Sequence, residues 1–255
     1  MLQTIKDPHL LQLHGIGHAF FTRQGGISEG IYRGLNCSTQ SKDNPSIVSR
    51  NHQLALRHLG IEGRSLASYD AEHGNRAVIV QRPDQAFEKA DAVVTNSPAI
   101  VLGADSADCP TVLLADAQAR VIGLAHAGWR SALGGILEAT LSQMHTLGAQ
   151  NNRIVAAIGP GIAQDSYEEG EAFYHQFCEA EPLNVTFFRP ASRTYHWMFN
   201  LPGYIQQRLL GLGIGVVVNT GLDTYSNSEL FYSCRRSLHQ GEVDFGGHFA
   251  CLYLV

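Results

Sequence analysis

The sequence predicts a fold of the α+β (mixed α/β) class, a single domain in which mixed β-sheets are covered by helices. Short apolar runs rich in branched residues, such as 111–115 and 121–125, have the length and composition of buried strands. Segments with apolar residues at helical spacing lie between such runs. No internal repeat or linker divides the 255 residues, so we expect one domain over residues 1–255.

Composition sets the broad class of the protein. Hydrophobic residues make up 44% of the chain, enough to bury a full core, and a net charge of -5 offers no broad basic field for nucleic acid. The first twenty residues lack a signal-peptide pattern, and no uncharged apolar run approaches the roughly 20 residues that span a bilayer. Five cysteines without paired spacing fit reduced thiols. We therefore expect a cytoplasmic protein without nucleic-acid or membrane partners.

In the first half of the chain the predicted elements are strands, one helix and polar loops. The helix is expected from Pro45 to Gly60, because Asn44 and Pro45 form a favourable helix start. A polar loop is expected at 81–89. Strands are expected at 17–22, 77–80, 91–95 and 99–103.

Helices dominate the second half. One helix is expected to open at Gly128 and end before Gly148, from the spacing of its apolar residues. Its positive N-terminal end would favour an anionic ligand. A helical pattern follows Ser166-Tyr167-Glu168 and runs through Phe173, Phe177 and Cys178, and another covers 201–212. Strands are expected at 154–158, 216–218 and 249–254.

The predicted hairpin 111–125 carries the residues best suited to chemistry. Cys109 precedes its first strand and His126 follows its second, so both side chains should meet at one end of the sheet. A thiolate and an imidazole placed there can share a divalent metal, or can act as a nucleophile and its base. Asp105, Asp108 and Arg130 lie near the pair and would be costly to bury unless each had a partner or a ligand, which favours a site over a packed core. Because single Cys and His residues also occur as plain core residues, the pair needs a third partner.

Two other turns carry polar side chains. His73 lies in a glycine-containing turn before a predicted strand, where structural histidines are common. Arg23 precedes two consecutive glycines, whose amides could help it hold an anion such as phosphate. A tight turn with a solvated arginine explains the same residues equally well.

Five short motifs follow one another along the chain: His73-Gly74-Asn75, Ala107-Asp108-Cys109-Pro110, His126-Ala127-Gly128-Trp129-Arg130, Ile158-Gly159-Pro160 and Phe231-Tyr232-Ser233-Cys234-Arg235-Arg236. Their order resembles that of the YfiH-like family, also described as the laccase-domain or polyphenol oxidase family, whose members include purine nucleoside phosphorylases. Arg23 with its glycines and the Asn36 region resemble the N-terminal motif of the same family. The resemblance covers nearly the whole chain.

The resemblance implies an α/β/β/α layered fold, similar to that of toxin deamidases, with a mononuclear metal site. The ligands would be His73, Cys109 and His126, which provides the missing third partner. Three protein ligands leave the fourth tetrahedral position open, as in catalytic zinc sites. The resemblance therefore implies Zn²⁺ as cofactor, with copper as the alternative.

The activity that the resemblance implies is phosphorolysis of adenosine, inosine, guanosine or methylthioadenosine, together with deamination of adenosine. The partners would be a small nucleoside and phosphate, and the protein would be a monomer or homodimer. Catalytic roles fall on Cys109, His126 and Asp108, although Asp108 could instead orient a ligand imidazole. Arg235 could contact substrate or pair with an acid. The expected substrate-binding set is Arg23, Asn36, Arg130 and Arg235.

Other interpretations stay open. A copper-dependent phenol oxidase is the older label of the family, but multicopper oxidases need many more histidine ligands in close-set motifs than this sequence shows. A metal-free cysteine hydrolase would use Cys109 as nucleophile and His126 as base, and a peptidoglycan-precursor editing amidase would act at the same metal. The chain departs from the family pattern at Ala71, Asp223 and His248. None of these is an expected ligand, so they bear on efficiency and substrate preference.

Overall fold

The computed structural model describes residues 1–83, 85, 87 and 89–255. Its strands are β1 Thr4–Ile5, β2 Ile16–Phe21, β3 Ser65–Ala67, β4 Ala77–Ile79, β5 Ala92–Thr95, β6 Ile100–Ser106, β7 Thr111–Asp116, β8 Val121–His126, β9 Val155–Ile158, β10 Glu168–Gly170, β11 Phe188–Pro190, β12 His196–Phe199, β13 Val216–Asn219 and β14 His248–Leu254. Its α-helices are α1 Pro8–Leu11, α2 Pro45–His58, α3 Trp129–Leu133, α4 Ile136–Thr146, α5 Glu171–Ala180, α6 Leu201–Gly211 and α7 Cys234–His239. None of the helices in these ranges has the length and hydropathy needed to span a bilayer.

The strands form two large mixed sheets and one small sheet. The first sheet has the order β1-β2-β14-β6-β3, and the second has the order β13-β9-β7-β8-β5-β4. Neighbouring strands are antiparallel except for the pairs β3 with β6, β4 with β5, and β9 with β13. The small antiparallel sheet has the order β10-β12-β11.

The two large sheets pack face to face between layers of helices. Leu102 of the first sheet and Leu113 of the second belong to one buried apolar cluster, which places the main core between the sheets. A second cluster joins the other face of the second sheet to α4, α5 and α6. A third joins the first sheet to Leu56 of α2. Because both sheets are buried on both faces, their central strands are continuously apolar, and the α/β/β/α layering is confirmed.

Some local expectations need correction. The helix expected between Gly128 and Gly148 is two helices, α3 and α4, because Gly135 has φ +93° and breaks the helical path. Strand β6 runs three residues beyond the expected 99–103, to Ser106, because it stays paired with β14 as far as His248. Within the polar loop expected at 81–89, residues 84, 86 and 88 lie outside the described residues.

Candidate metal centre

The candidate metal centre lies at one end of the β7-β8 hairpin. His126 is the last residue of β8 and pairs in register with Thr111, the first residue of β7. Cys109 stands two residues before β7. The hairpin therefore brings Cys109 and His126 to the same sheet end, as the sequence predicts.

His73 reaches the hairpin from the loop before β4. Its backbone is left-handed, with φ +59°. The amide of Gly74 donates to Oδ2 of Asp91 at 2.9 Å, and the carbonyl of Asp91 accepts the amide of His126 at 2.8 Å. Asp91, only 2% exposed, thus ties the His73 turn to the end of β8. Asp91 was not among the expected site residues, although an acidic residue at the start of a buried strand is a recognisable signal.

The three expected ligands converge. One donor atom from each of His73, Cys109 and His126 lies within 4.8 Å of the other two. Sγ of Cys109 is 3.9 Å from Nε2 of His73, and the two imidazole ring centroids are 5.1 Å apart. Ideal tetrahedral zinc ligation separates such donor atoms by roughly 3.5 Å. The arrangement is close to that of a mononuclear site.

Two observations of the surroundings fit a metal ion. A Cβ on Gly128 would lie 2.8 Å from Sγ of Cys109 and 3.0 Å from Cδ2 of His73, so the glycine leaves room for the ligands. Nδ1 of His126 is buried without a hydrogen-bond partner among the described residues. One thiolate and two imidazoles suit Zn²⁺, and the same donor types occur around copper.

Burial controls the protonation of the ligands. Desolvation, reinforced by the charge of Asp108, raises the pKa of Cys109 to about 12. Desolvation, with a contribution from His73, lowers the pKa of His126 to about 3. The neutral imidazole is the ligand form, and the thiol would release its proton on binding a metal. Burial thus disfavours the thiolate form of Cys109 in the absence of a metal.

Asp108 fixes the loop that carries Cys109. Its carboxylate accepts from the Thr224 hydroxyl and from the Arg235 amide, each at 2.7 Å. Its carbonyl accepts the amide of Ile162 at 2.8 Å. The carboxylate of Asp108 is therefore directed at the C-terminal segment and at the start of α7, where it positions the cysteine loop.

The two arginines expected beside the centre differ in their contacts. The guanidinium of Arg235 donates to the carbonyl of Glu168 at 2.7 Å and to Oε1 of Glu169 at 2.5 Å, so it pairs with an acid. The side chain of Arg130 is exposed and stacks on Trp129 at 4.3 Å. Arg130 has no hydrogen bond or ion pair with any described residue, which leaves its guanidinium available to an anion.

The structure places Arg23 and Asn36 away from the metal ligands. The guanidinium of Arg23 donates to the Arg33 carbonyl at 3.0 Å and lies over the ring of Tyr232, in a separate groove. Asn36 is fully buried and accepts the amides of Ser38 and Gly247. Asn36 holds the loop that carries Ser38, and Ser38 lines the cavity beside the candidate metal centre.

A cavity of about 360 Å³ opens beside the candidate metal centre, a volume in the range of small-molecule sites. Its walls include the three expected ligands and Arg130. Tyr167 and Asp105, which the sequence analysis did not assign to substrate binding, also line it. An acidic residue near the end of an otherwise apolar strand was the available signal for Asp105.

The family model of the multi-copper polyphenol oxidoreductase laccases matches residues 17–254, which is nearly the whole chain. The chain belongs to this family. A purine nucleoside phosphorylase of Deinococcus radiodurans is 38% identical over 239 residues, covering 94% of this chain and 89% of that protein. The adenosine deaminase RL5 of an unknown prokaryotic organism is 32% identical over 173 residues, covering 64% of this chain and 66% of that protein.

Solved structures agree with this family membership. A Neisseria meningitidis protein superposes with a TM-score of 0.86 at 26% identity, covering 99% of this chain and 98% of that chain. YfiH of Bacillus licheniformis gives a TM-score of 0.86 at 24% identity, covering 96% and 94%, and supports the fold alone. The resemblance to the YfiH-like family is confirmed.

Proposed function

We propose that this protein is a metal-dependent enzyme that cleaves purine nucleosides by phosphorolysis. The observation that carries the proposal is the convergence of His73, Cys109 and His126 within 4.8 Å, beside a cavity that also contains a free guanidinium. The relative from Deinococcus radiodurans named purine nucleoside phosphorylase supports the substrate class. The relative named adenosine deaminase supports deamination of adenosine as a second reaction.

The protein's own residues would bind and orient the reactants. Arg130 offers two parallel N–H donors to phosphate, and its stacking on Trp129 limits the orientations of the guanidinium. Asp108 holds the Cys109 loop against α7, so the cavity wall stays fixed. When bound by the three ligands, Zn²⁺ would supply a Lewis acid to the cavity.

Phenol oxidation with copper is the second candidate, because the family description names copper oxidases. The described residues contain one group of three or more His, Cys, Asp or Glu side chains with metal-ligand spacing. Multicopper oxidases gather several copper ions through many histidines. The single group favours a mononuclear site.

Metal analysis and turnover test the proposal together. We expect about one zinc ion per chain in the purified protein, and loss of that zinc in His73→Ala but not in His14→Ala, whose histidine is exposed and lies outside the cavity. Incubation with adenosine and phosphate should yield adenine and ribose 1-phosphate, with inosine as the deamination product. Copper bound with phenol oxidation and no nucleoside turnover would refute the proposal.

The phosphate role of Arg130 has its own test. Arg130→Gln should raise KM for phosphate, since the free guanidinium is lost. Arg50→Gln removes an equally exposed arginine that lies outside the cavity and should leave KM unchanged. Equal KM values in the two variants would remove Arg130 from phosphate binding.

A further inference from the structure

Asp105 lines the cavity beside the candidate metal centre, and its carboxyl group is not a metal ligand. Asp105 is the next-to-last residue of β6, and its backbone pairs with Phe249 of β14. Pairing within the sheet fixes its main chain. Asp105 lines the same cavity as the three expected metal ligands. It is therefore a candidate to contact a molecule bound there.

The surroundings of Asp105 favour the protonated form of its carboxyl group. Burial, with a smaller contribution from the charge of Asp70, raises the pKa of Asp105 to about 7, even though the Ser38 hydroxyl donates to it. Tyr69 and Cys37 are the other titratable side chains close enough to interact with it. None of these described neighbours is a cation.

The backbone makes room for this carboxyl group. A Cβ at Gly247 would lie only 2.9 Å from Oδ2 of Asp105 and 3.0 Å from Cβ of Ser38. Glycine at 247 is thus required for Asp105 and Ser38 to sit where they do.

The other aspartates of the cavity are committed to protein contacts. Both oxygens of Asp108 accept hydrogen bonds from the chain. Asp244 accepts the Tyr32 hydroxyl at 2.6 Å and the Lys42 amide at 2.7 Å. Although burial opposes it, these hydrogen bonds hold the pKa of Asp244 below its ordinary value, so Asp244 is ionised. Burial raises the pKa of Asp108 as well, but both of its oxygens already accept hydrogen bonds from the chain, so we assign the proton donor to Asp105.

Purine release creates a need for such a proton. When the bond between ribose C1′ and purine N9 breaks, its electron pair moves into the imidazole ring of the base. Protonation of N7 turns the departing base into a neutral molecule, and general acids of this kind contribute about 10²- to 10⁴-fold to rates.

We propose that Asp105 is the general acid that protonates N7 of the departing purine. The inference rests on the proposed phosphorolysis. As a phosphate oxygen bonds to C1′, the C1′–N9 bond breaks and the Asp105 proton moves to N7. The carboxylate then regains a proton from solvent, which balances the proton that hydrogen phosphate loses on becoming the sugar ester.

Two substrates separate this role from a structural one. Inosine needs a proton at N7, whereas 7-methylguanosine already carries a methyl group and a positive charge on its imidazole ring. At pH 6, Asp105→Asn should lower kcat/KM for inosine about 100-fold or more and should keep most of the activity on 7-methylguanosine. Asp105→Ser, which leaves more space for the methyl group, should show the same pattern. Glu62→Gln removes an exposed carboxylate that lies outside the cavity and should leave the ratio of the two activities unchanged.

The outcomes distinguish the role of Asp105 from the proposed phosphorolysis itself. Equal losses on both substrates in both Asp105 variants, or undiminished inosine cleavage, would overturn the assignment of Asp105 while leaving the phosphorolysis itself intact. If the wild-type protein cleaved neither nucleoside, the proposed function would fail, and the role of Asp105 with it. Thermal melts of each variant at pH 6 identify any loss of folding.

Discussion

Gly128 offers a direct test of the metal centre, because a methyl group added there would point at two of its ligands. The new Cβ would lie 2.8 Å from Sγ of Cys109 and 3.0 Å from Cδ2 of His73. Favourable non-bonded separations are ~3.5–4.0 Å, so the sulfur would have to move by ~0.7 Å or more. Metal sites tolerate departures of about 0.2 Å in ligand distance. Loss of the groups that hydrogen-bond metal ligands weakens metal binding about 10- to 100-fold, and we expect Gly128→Ala to weaken zinc binding at least as much.

The backbone itself accepts alanine at this position. Gly128 is the N-cap of α3 with φ −62° and ψ 164°, a region open to every residue. Gly170, the N-cap of α5 with φ −81° and ψ 171°, has no atoms near its missing Cβ and gives a matched control. Both variants lose the same N-cap preference for glycine over alanine. Only the substitution at Gly128 enters the metal centre.

Competition with a chromogenic zinc chelator measures the affinity of each variant. Thermal melts after metal removal report folding separately. If Gly128→Ala bound zinc as tightly as Gly170→Ala, His73, Cys109 and His126 would not coordinate the ion together, and the assignment of the ligands would be refuted.

Three further predictions concern stability. Asp116 is fully buried and accepts from Arg153 at 2.9 Å, so Asp116→Ala should cost about 3 kcal/mol in urea unfolding, and a loss below about 1 kcal/mol would contradict this. Because the pKa of folded Asp105 is raised from 3.8 to about 7, the contribution of Asp105 to stability should fall as pH rises from 4 to 7, and Asp105→Asn should remove up to ~4 kcal/mol of that fall; parallel pH profiles of the wild type and the variant would refute it. Burial lowers the pKa of His52 from 6.5 to about 4, so folding loses stability as pH drops below 6.5. His52→Leu should reduce this loss by up to ~2 kcal/mol at pH 5, as measured by denaturant midpoints. An equal loss in the variant and the wild type would show that His52 is not neutral in the folded protein.

Much of the fold could be predicted from short-range pattern. The β7-β8 hairpin follows from two apolar runs and a turn, because strands buried on both faces are apolar over most of their length. The break between α3 and α4 was missed, because the apolar spacing continues across it and only the left-handed backbone of Gly135 interrupts the helix. The hairpin also predicts that Cys109 and His126 meet.

The remainder of the candidate centre depends on contacts between distant segments. His73 joins the hairpin through a loop whose position is set by Asp91, and no local pattern encodes that pairing. The resemblance to a family supplied it instead. The acid partner of Arg235 was left open for the same reason, since Glu169 lies far from it in the sequence.

Two buried carboxylates explain how the candidate centre keeps its shape. His73 and Asp108 both have left-handed backbones, with φ +59° and +82°, a conformation that is uncommon for residues with side chains and persists where the surroundings hold it in place. Asp91 holds the first of these turns by accepting the amide of Gly74, and the carboxylate of Asp108 holds the second by accepting the amide of Arg235. Hydrogen bonds of the protein therefore hold both ligand loops. Metal binding would then need little rearrangement of these loops. Three ligands held in this way would leave the fourth position of a tetrahedral ion open for a substrate.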